Sequence, residues 1–281
     1  TKSNLSYATM PFGPAVSDTI SLIQQGIIPT VGKDFWMGYM NNYGTYANTI
    51  DLQLFISGGT ATTGTVEIPL QGWTQNFIVT PGTVTTVTVP TAMAHHVLND
   101  VVQNMGVHIT TLDTVSVFAI NFHPYTADAS KVLPVRSIGT EYIVSTFQGI
   151  GGGFALNSEF LIVATEDATE VEITPSVATS GGNAAGVPYI VQLEQGETYQ
   201  VMAASNNTDL SGTTIVGTAT SGSCRPLAVF AGAQCTNIPN GCTACDHIFD
   251  QLLPTEAWGN EYYIVPFSGT SGYTYSVTAR D

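Results

Sequence analysis

The sequence predicts an all-β protein built from two related β-sandwich-like modules. Three observations lead to this prediction: strands with alternating apolar and polar residues dominate, convincing helical patterns are scarce, and one short phrase occurs three times. The phrase contains an aliphatic residue followed by proline, a glycine, an acidic residue two positions after the glycine, and then aromatic and aliphatic residues. The first, second and third phrases occupy residues 28–36, 133–142 and 253–263.

The spacing of the phrases indicates an internal duplication. Their glycines are Gly32, Gly139 and Gly259, at intervals of 107 and 120 residues, which is the size of one β-sandwich module. Stretches between the phrases also resemble one another in the same order. We therefore predict an N-terminal extension at 1–31, a first β module at 32–138, a second with a disulfide cluster at 139–258, and the first strands of a third copy at 259–281.

Individual strands follow from alternation with a period of two. Val171 and Ile173 are expected to face the core, while Glu170 and Glu172 between them face water. Residues 115–122 are apolar on both faces, so we expect that strand to be covered on both sides.

Helices are expected at no more than two places. Residues 246–253 form one candidate, with Asp246 as N-cap, and residues 91–105 form a second. A sandwich is favoured over a barrel or propeller, although strand order does not follow from the sequence.

Charge excludes several kinds of partner. The chain carries 6 Lys and Arg against 21 Asp and Glu, a net charge of −15, with no basic patch. Binding to nucleic acid or to an anionic membrane surface is therefore not expected. The long uncharged stretch 68–99 contains three prolines and is interpreted as strands and turns, so membrane insertion is not expected either. Thr1 is not an initiator methionine, which suggests a processed or trimmed start.

Four cysteines lie close together: Cys224, Cys235, Cys242 and Cys245. The last two alone are compatible with a zinc knuckle or a redox motif, but a four-cysteine zinc site needs two close pairs and a redox motif needs a βαβ setting. Two disulfides are the better interpretation, with three connectivities open. Low charge, Thr-rich strands and this cluster favour an extracellular or cell-surface location.

Enzyme motifs are not found. Residues 26–33 lack the glycine spacing of a phosphate loop, no Gly-x-Ser-x-Gly elbow occurs, and the glycines at 149–153 are interpreted as a surface loop. Asp246, His247 and Asp250 are explained by capping and packing as well as by metal ligation. We predict no enzymatic activity, no catalytic residue and no cofactor.

One acidic turn has an alternative interpretation. Glu166, Asp167 and Glu170 lie between two predicted strands, a common place for calcium in extracellular β modules. We interpret the turn as a solvated hairpin tip, with a calcium site as the alternative.

Several short motifs then resemble one family, the N-terminal domain of IgGFc-binding proteins. The resemblance extends from about residue 30 to about residue 265, and the motifs that carry it occur in the same order. The motifs are GKDF at 32–35, VSVFAIN at 115–121, TADAS at 126–130, the second phrase, LSGT at 210–213, RPLAVFAG at 225–232, and CDH, DQLLP and AWG at 245–247, 250–254 and 257–259.

The resemblance implies a surface or secreted protein, and we expect a bacterial member. The family pattern carries cysteines at the positions of Cys235 and Cys245, so it implies a Cys235–Cys245 disulfide and leaves Cys224 and Cys242 as an additional pair. It supplies neither catalytic nor binding residues.

Two functional hypotheses result. The first is a non-enzymatic extracellular adhesion or recognition module that binds a protein or glycan. Its contact candidates are Trp36, Tyr39, Tyr43, Tyr46 and Trp73, with strand packing as the alternative explanation. The second is a structural subunit of an extracellular fibre or sheath, assembled head-to-tail by strand complementation through an open strand edge.

Overall fold

One strand, β7, organises the first sheet because its two halves pair with different neighbours. The computed structural model describes residues 28–43, 49–151, 156–219, 221–238, 244–259, 261–263 and 276–280. In the 17-residue β7, the half up to Val115 pairs with β1 and β3, and the half from Ser116 pairs with β2 and β8. Seven strands result, in the order β4-β3-β7-β2-β5 with β1 and β8 also on β7. Their bounds are β1 Gly32–Met37, β2 Asp51–Ser57, β3 Thr62–Ile68, β4 Trp73–Val79, β5 Thr85–Val89, β7 Val107–His123 and β8 Thr126–Val132.

The described residues form two further antiparallel sheets. The second has the order β16-β15-β10-β13-β6, and the third has the order β12-β11-β14-β9. The bounds of the second are β6 Val102–Gln103, β10 Ser158–Ala164, β13 Thr198–Met202, β15 Leu227–Thr236 and β16 Asp246–Gln251. Those of the third are β9 Glu141–Ile143, β11 Thr169–Thr174, β12 Tyr189–Leu193 and β14 Thr214–Ala219.

The second sheet is buried on both faces. Alternate residues of β10 separate into two cores: Leu161 and Val163 pack with the residues of the seven-stranded sheet, whereas Phe160 and Ile162 pack with those of the third sheet. This explains why the whole of β10 is buried and why its sequence is almost continuously apolar. Segments from both predicted modules therefore share one core, and the duplication and the module boundaries stay predictions.

The all-β prediction is confirmed in the described residues, and the helix candidates are largely wrong. Helix occurs as α1, Thr91–Ala94, and as 3-10 turns at Pro69–Gln71, Val135–Ser137 and Thr255–Ala257. The candidate 246–253 is strand β16, because pairing with β15 outweighs its local helical pattern. No helix in the described part of the chain is long and apolar enough to cross a membrane.

Candidate functional site

The outward side of β7 presents aromatic residues to solvent. Phe118 and Phe122 are 44% and 42% exposed, Ile120 lies between them on the same face, and Phe55 of β2 pairs with Phe118 across the sheet. We call these four residues the outer aromatic face. The expectation that this strand is covered on both sides is wrong, because only its inward side, with Val117 and others, is buried within the described residues.

Polar and cationic groups border the outer aromatic face. The Lys131 ammonium lies 4.4 Å from the centroid of the Phe118 ring and donates a hydrogen bond to Ser116 Oγ. Burial lowers the pKa of Lys131. Exposed Thr86 and Thr88 of β5 lie on the opposite border. An apolar centre with a polar border is the composition of a protein contact surface.

A second group of aromatic rings lies at the turn between β7 and β8. Tyr125 is 80% exposed, and its ring lies 5.4 Å from that of His123 and 6.4 Å from that of Tyr43. Tyr43 stacks on His123 at 5.1 Å and has a positive φ of 49°. Burial lowers the pKa of His123 because it disfavours the charged imidazolium.

A buried amide network holds this turn against the second sheet. The Asn42 side-chain amide donates to the carbonyls of Asn121 at 3.2 Å and Thr126 at 3.1 Å. The Asn121 amide in turn donates to the Met40 carbonyl at 2.8 Å and to His247 Nε2 at 3.3 Å. These bonds join the first sheet to His247 of β16, next to the turn that carries Tyr125.

Side chains of β8 also close the outer edge of β16. Three alternate residues of β8 each accept a hydrogen bond from a backbone N–H of β16. The pairs are Thr126 with His247, Asp128 with Phe249 at 2.9 Å, and Ser130 with Gln251 at 2.8 Å. Burial raises the pKa of Asp128 despite the hydrogen bonds that it accepts. This edge of the second sheet is therefore not open for strand addition.

Beneath the site lie three buried histidines. Burial lowers the pKa of His95 to about 3, with smaller effects of His96 and His247. Burial likewise lowers the pKa of His96 and of His247 to about 4 each. His96 forms hydrogen bonds with the Tyr39 carbonyl at 2.7 Å and with Thr198 Oγ at 2.7 Å, so both of its ring nitrogens are engaged within the fold.

The comparisons with known proteins agree on one family. The family model described as IgGFc binding protein matches residues 128–281. The human protein named IgGFc-binding protein is 30% identical over 246 residues, which is 86% of this chain and 4% of that relative. The chain belongs to the IgGFc-binding protein family. No solved structure matches. The relative found is human, so the bacterial source that we expected is not supported.

The disulfide that the family resemblance implied is present in this member. Cys235 and Cys245 are bonded, with their Cα atoms 5.4 Å apart. The bond links the end of β15 to the residue before β16. It lies next to the β8 side chains that accept hydrogen bonds from β16, with Cys235 Sγ 4.0 Å from Thr126 Oγ. Cys224 is an exposed free thiol within the described residues. Cys242 lies outside them, so a Cys224–Cys242 pair stays a prediction.

The acidic turn is occupied by protein partners. Each of its three carboxylates accepts a hydrogen bond from a nearby residue. The donors are Arg225 for Glu166 at 2.6 Å, the Gln195 backbone for Asp167 at 3.1 Å and the Gln192 amide for Glu170 at 2.7 Å. In the part of the chain that the structure describes, no group of three His, Cys, Asp or Glu residues is arranged to hold a metal ion. Calcium at this turn stays an untested prediction.

The five aromatic contact candidates separate into different environments. Trp36 is 4% exposed and stacks on His108 at 4.2 Å, Tyr39 is fully buried, and Trp73 packs against the first core. Tyr43 contributes to the turn cluster, and Tyr46 lies outside the described residues. The sequence did not single out the outer aromatic face, because alternation shows which residues share a face but not which face meets solvent.

Proposed function

We propose that this IgGFc-binding family member is a non-enzymatic extracellular recognition module that binds a protein through the outer aromatic face. The observation that carries the proposal is the exposure of Phe118 and Phe122 on a sheet face that meets solvent, where polar side chains are usual. Exposed neighbouring aromatic residues on a rigid scaffold are typical of interaction sites. Tyr125 is also exposed, but its ring packs with that of His123, whose side chain lies on the opposite face of β7 from Phe122, so Tyr125 is not counted in this face.

A protein ligand is favoured over a glycan by the chemistry of the face. Its centre is made of phenylalanine rings and an isoleucine, which provide apolar area but no hydrogen-bonding group for sugar hydroxyls. Lys131 borders the face, and its ammonium already lies over the Phe118 ring. A partner would bury the rings and form polar contacts at the threonine border.

An extracellular location is supported by the Cys235–Cys245 disulfide, since such bonds persist in oxidising compartments. The relative's name states that it binds the Fc part of IgG, and the Fc fragment is therefore the first ligand to test. Because this chain spans only 4% of that relative, Fc binding by this segment is part of the proposal.

The test uses the immobilised chain and biolayer interferometry. The soluble protein probe is human IgG Fc, and a glycan array tests the sugar alternative. The variant Phe118→Ser/Phe122→Ser removes the aromatic centre, and Ile78→Ser is the matched control, because Ile78 is a 68% exposed apolar residue of β4 in the same sheet.

Loss of two interface phenylalanines is expected to weaken binding at least about tenfold, because each contributes on the order of 1–2 kcal/mol. The control should bind like the wild type. Equal binding by all three proteins would overturn the assignment of the face, and binding to no protein probe or only to glycans would overturn the proposed ligand class.

A further inference from the structure

One carboxylate is buried between the first two sheets without a partner. Glu159 of β10 is 0% exposed, and neither of its carboxylate oxygens has a hydrogen-bond partner among the described residues. Burial raises its pKa. An unpaired charge in a protein interior is strongly unfavourable unless a cation or a proton neutralises it. Glu159 therefore needs a positive partner that no described side chain supplies.

Three buried asparagines lack partners in the same way. The side-chain oxygens of Asn41, Asn42 and Asn157 have no hydrogen-bond partner in the described part of the chain. Two of these amides have a fixed orientation, because the Asn42 nitrogen donates to two carbonyls and the Asn157 nitrogen donates to the Ala203 carbonyl at 2.8 Å. Together with Glu159, the asparagines present five oxygen atoms that still lack a donor.

Strand alternation places Asn157 and Glu159 on one face of the second sheet. Glu159 faces the first sheet, because Leu161, two residues later, packs in the core of the first sheet. Asn157 continues the pairing of β10 with β15, since its carbonyl accepts a hydrogen bond from the Gln234 N–H at 3.0 Å. The side chains of Asn157 and Glu159 are therefore neighbours along the same face.

One contact holds residues 40–42 against β13. The Asn41 N–H donates a hydrogen bond to Gln200 Oε1 at 3.0 Å. Gln200 lies on β13 directly opposite Leu161. This contact therefore lies one side-chain row beyond Glu159 along the face.

A second contact holds the same segment toward β16. The Met40 carbonyl and His247 Nε2 bind one amide of β7, at 2.8 and 3.3 Å. His247 precedes Ile248, and Ile248 and Ser158 share one partner on β15. This contact therefore lies one side-chain row before Glu159.

The two contacts place the segment directly above Glu159. Met40 and Asn41 are adjacent, so their Cα atoms are about 3.8 Å apart, whereas β13 and β16 are separated by three strand spacings, about 14 Å. The segment must therefore lie over β10 and β15, which are the strands between them. In both directions this is the position of Glu159.

The oxygens gathered here match the ligands of calcium. Ca²⁺ binds carboxylate and amide oxygens in flexible geometry, whereas Mg²⁺ demands near-ideal octahedral geometry and keeps several waters. Nearby imidazoles add no competing positive charge: His95 accepts a hydrogen bond from the Asn42 N–H at Nε2, and burial lowers the pKa values of His95 and His247 to about 3 and 4.

We propose that a calcium ion binds between residues 40–42 and the second sheet, through the Glu159 carboxylate and the side-chain oxygens of Asn41, Asn42 and Asn157. With a single carboxylate, the site should bind weakly, with a Kd on the order of 10⁻⁴–10⁻³ M, as in extracellular modules. The ion would link the first sheet to the second. This inference does not depend on the recognition function, because it uses no residue of the outer aromatic face.

Urea unfolding at pH 7.5 after removal of divalent cations with EDTA and dialysis tests the proposal. For a Kd near 1 mM, calcium at about 10 mM should lower the unfolding equilibrium constant of the wild type about tenfold. Glu159→Gln should show no such response. Without calcium the wild type holds an unpaired buried charge, and this is the state in which the Gln variant is expected to be the more stable protein.

Glu172→Gln is the matched control, since Glu172 is an exposed carboxylate of β11, and it should respond to calcium like the wild type. Magnesium at the same concentration and sodium at the same ionic strength should not reproduce the calcium effect. Equal stabilisation by all three salts would overturn the proposal, because it would reflect screening of the net charge of −15. An absent calcium response in the wild type, or an equal response in Glu159→Gln, would also overturn it.

Discussion

Acidification is expected to destabilise the fold through its three buried histidines. The folded pKa values of His95, His96 and His247 are about 3, 4 and 4, whereas an unfolded histidine titrates near 6.5. Between these values the unfolded chain binds protons that the folded chain does not. Stability is therefore fully present above pH 6.5 and decreases as the pH falls toward 4.

The magnitude follows from the unfolded state. At pH 5 each folded imidazole is still neutral, so the cost per histidine is set by proton uptake in the unfolded chain and amounts to about 2 kcal/mol relative to pH 7. The three together contribute about 6 kcal/mol, a large part of the 5–15 kcal/mol typical of domains. Buried carboxyls with raised pKa values, such as Glu159, oppose part of this loss.

A single substitution isolates one histidine from these opposing groups. The assay is urea unfolding of the wild type and of His247→Gln at pH 7 and pH 5. The variant should be less stable at pH 7, because it disturbs the bonds to Asn121 and the Ala233 carbonyl. Its loss of unfolding free energy between pH 7 and 5 should be smaller than that of the wild type by about 2 kcal/mol. An identical loss in both proteins would refute the reasoning.

Three further predictions concern other buried features. Glu159 is fully buried, neither of its carboxylate oxygens has a hydrogen-bond partner among the described residues, and burial raises its pKa. Glu159→Gln should therefore raise the unfolding free energy at pH 8 relative to the wild type and lose this advantage at pH 4. A variant that is less stable than the wild type at pH 8 would contradict this. Gly139→Ala should cost about 1–3 kcal/mol in thermal unfolding because the added Cβ overlaps Pro254, whereas Gly259→Ala should be nearly neutral. Equal effects of the two substitutions would contradict the close packing of Pro254 on Gly139. Cys235→Ser/Cys245→Ser should cost about 3 kcal/mol for a ten-residue separation, and an unchanged melting temperature would show that the bond does not constrain the chain.

Local patterns predicted much of the fold. The all-β class follows from alternation, and Val171 and Ile173 do face the core while Glu172 is exposed. The recurrent phrase marks sites where the structure places glycine against proline, a close approach that only glycine permits. Such features are local or repeated, so they leave a signal in the sequence.

Features that depend on the third dimension were not predictable. Residues 246–253 have apolar residues at helical spacing, yet pairing with β15 and the hydrogen bonds from β16 to side chains of β8 make Asp246–Gln251 a strand. The buried amide network joins Asn42 to Asn121 across 79 residues, and no pattern connects them. Phe118 is exposed because no other element of the described structure covers its face of the sheet. The apolar character of a residue does not show whether its face will be covered.

Hydroxyl-radical footprinting of the chain with and without its protein ligand tests the recognition surface most directly. The outer aromatic face and the third phrase both present exposed, oxidisable rings, so one experiment compares the two surfaces. We predict that the ligand lowers labelling of Phe118 and Phe122 and leaves Tyr262 and Tyr263 unchanged. Protection of the two tyrosines with unchanged labelling of the phenylalanines would contradict the assignment.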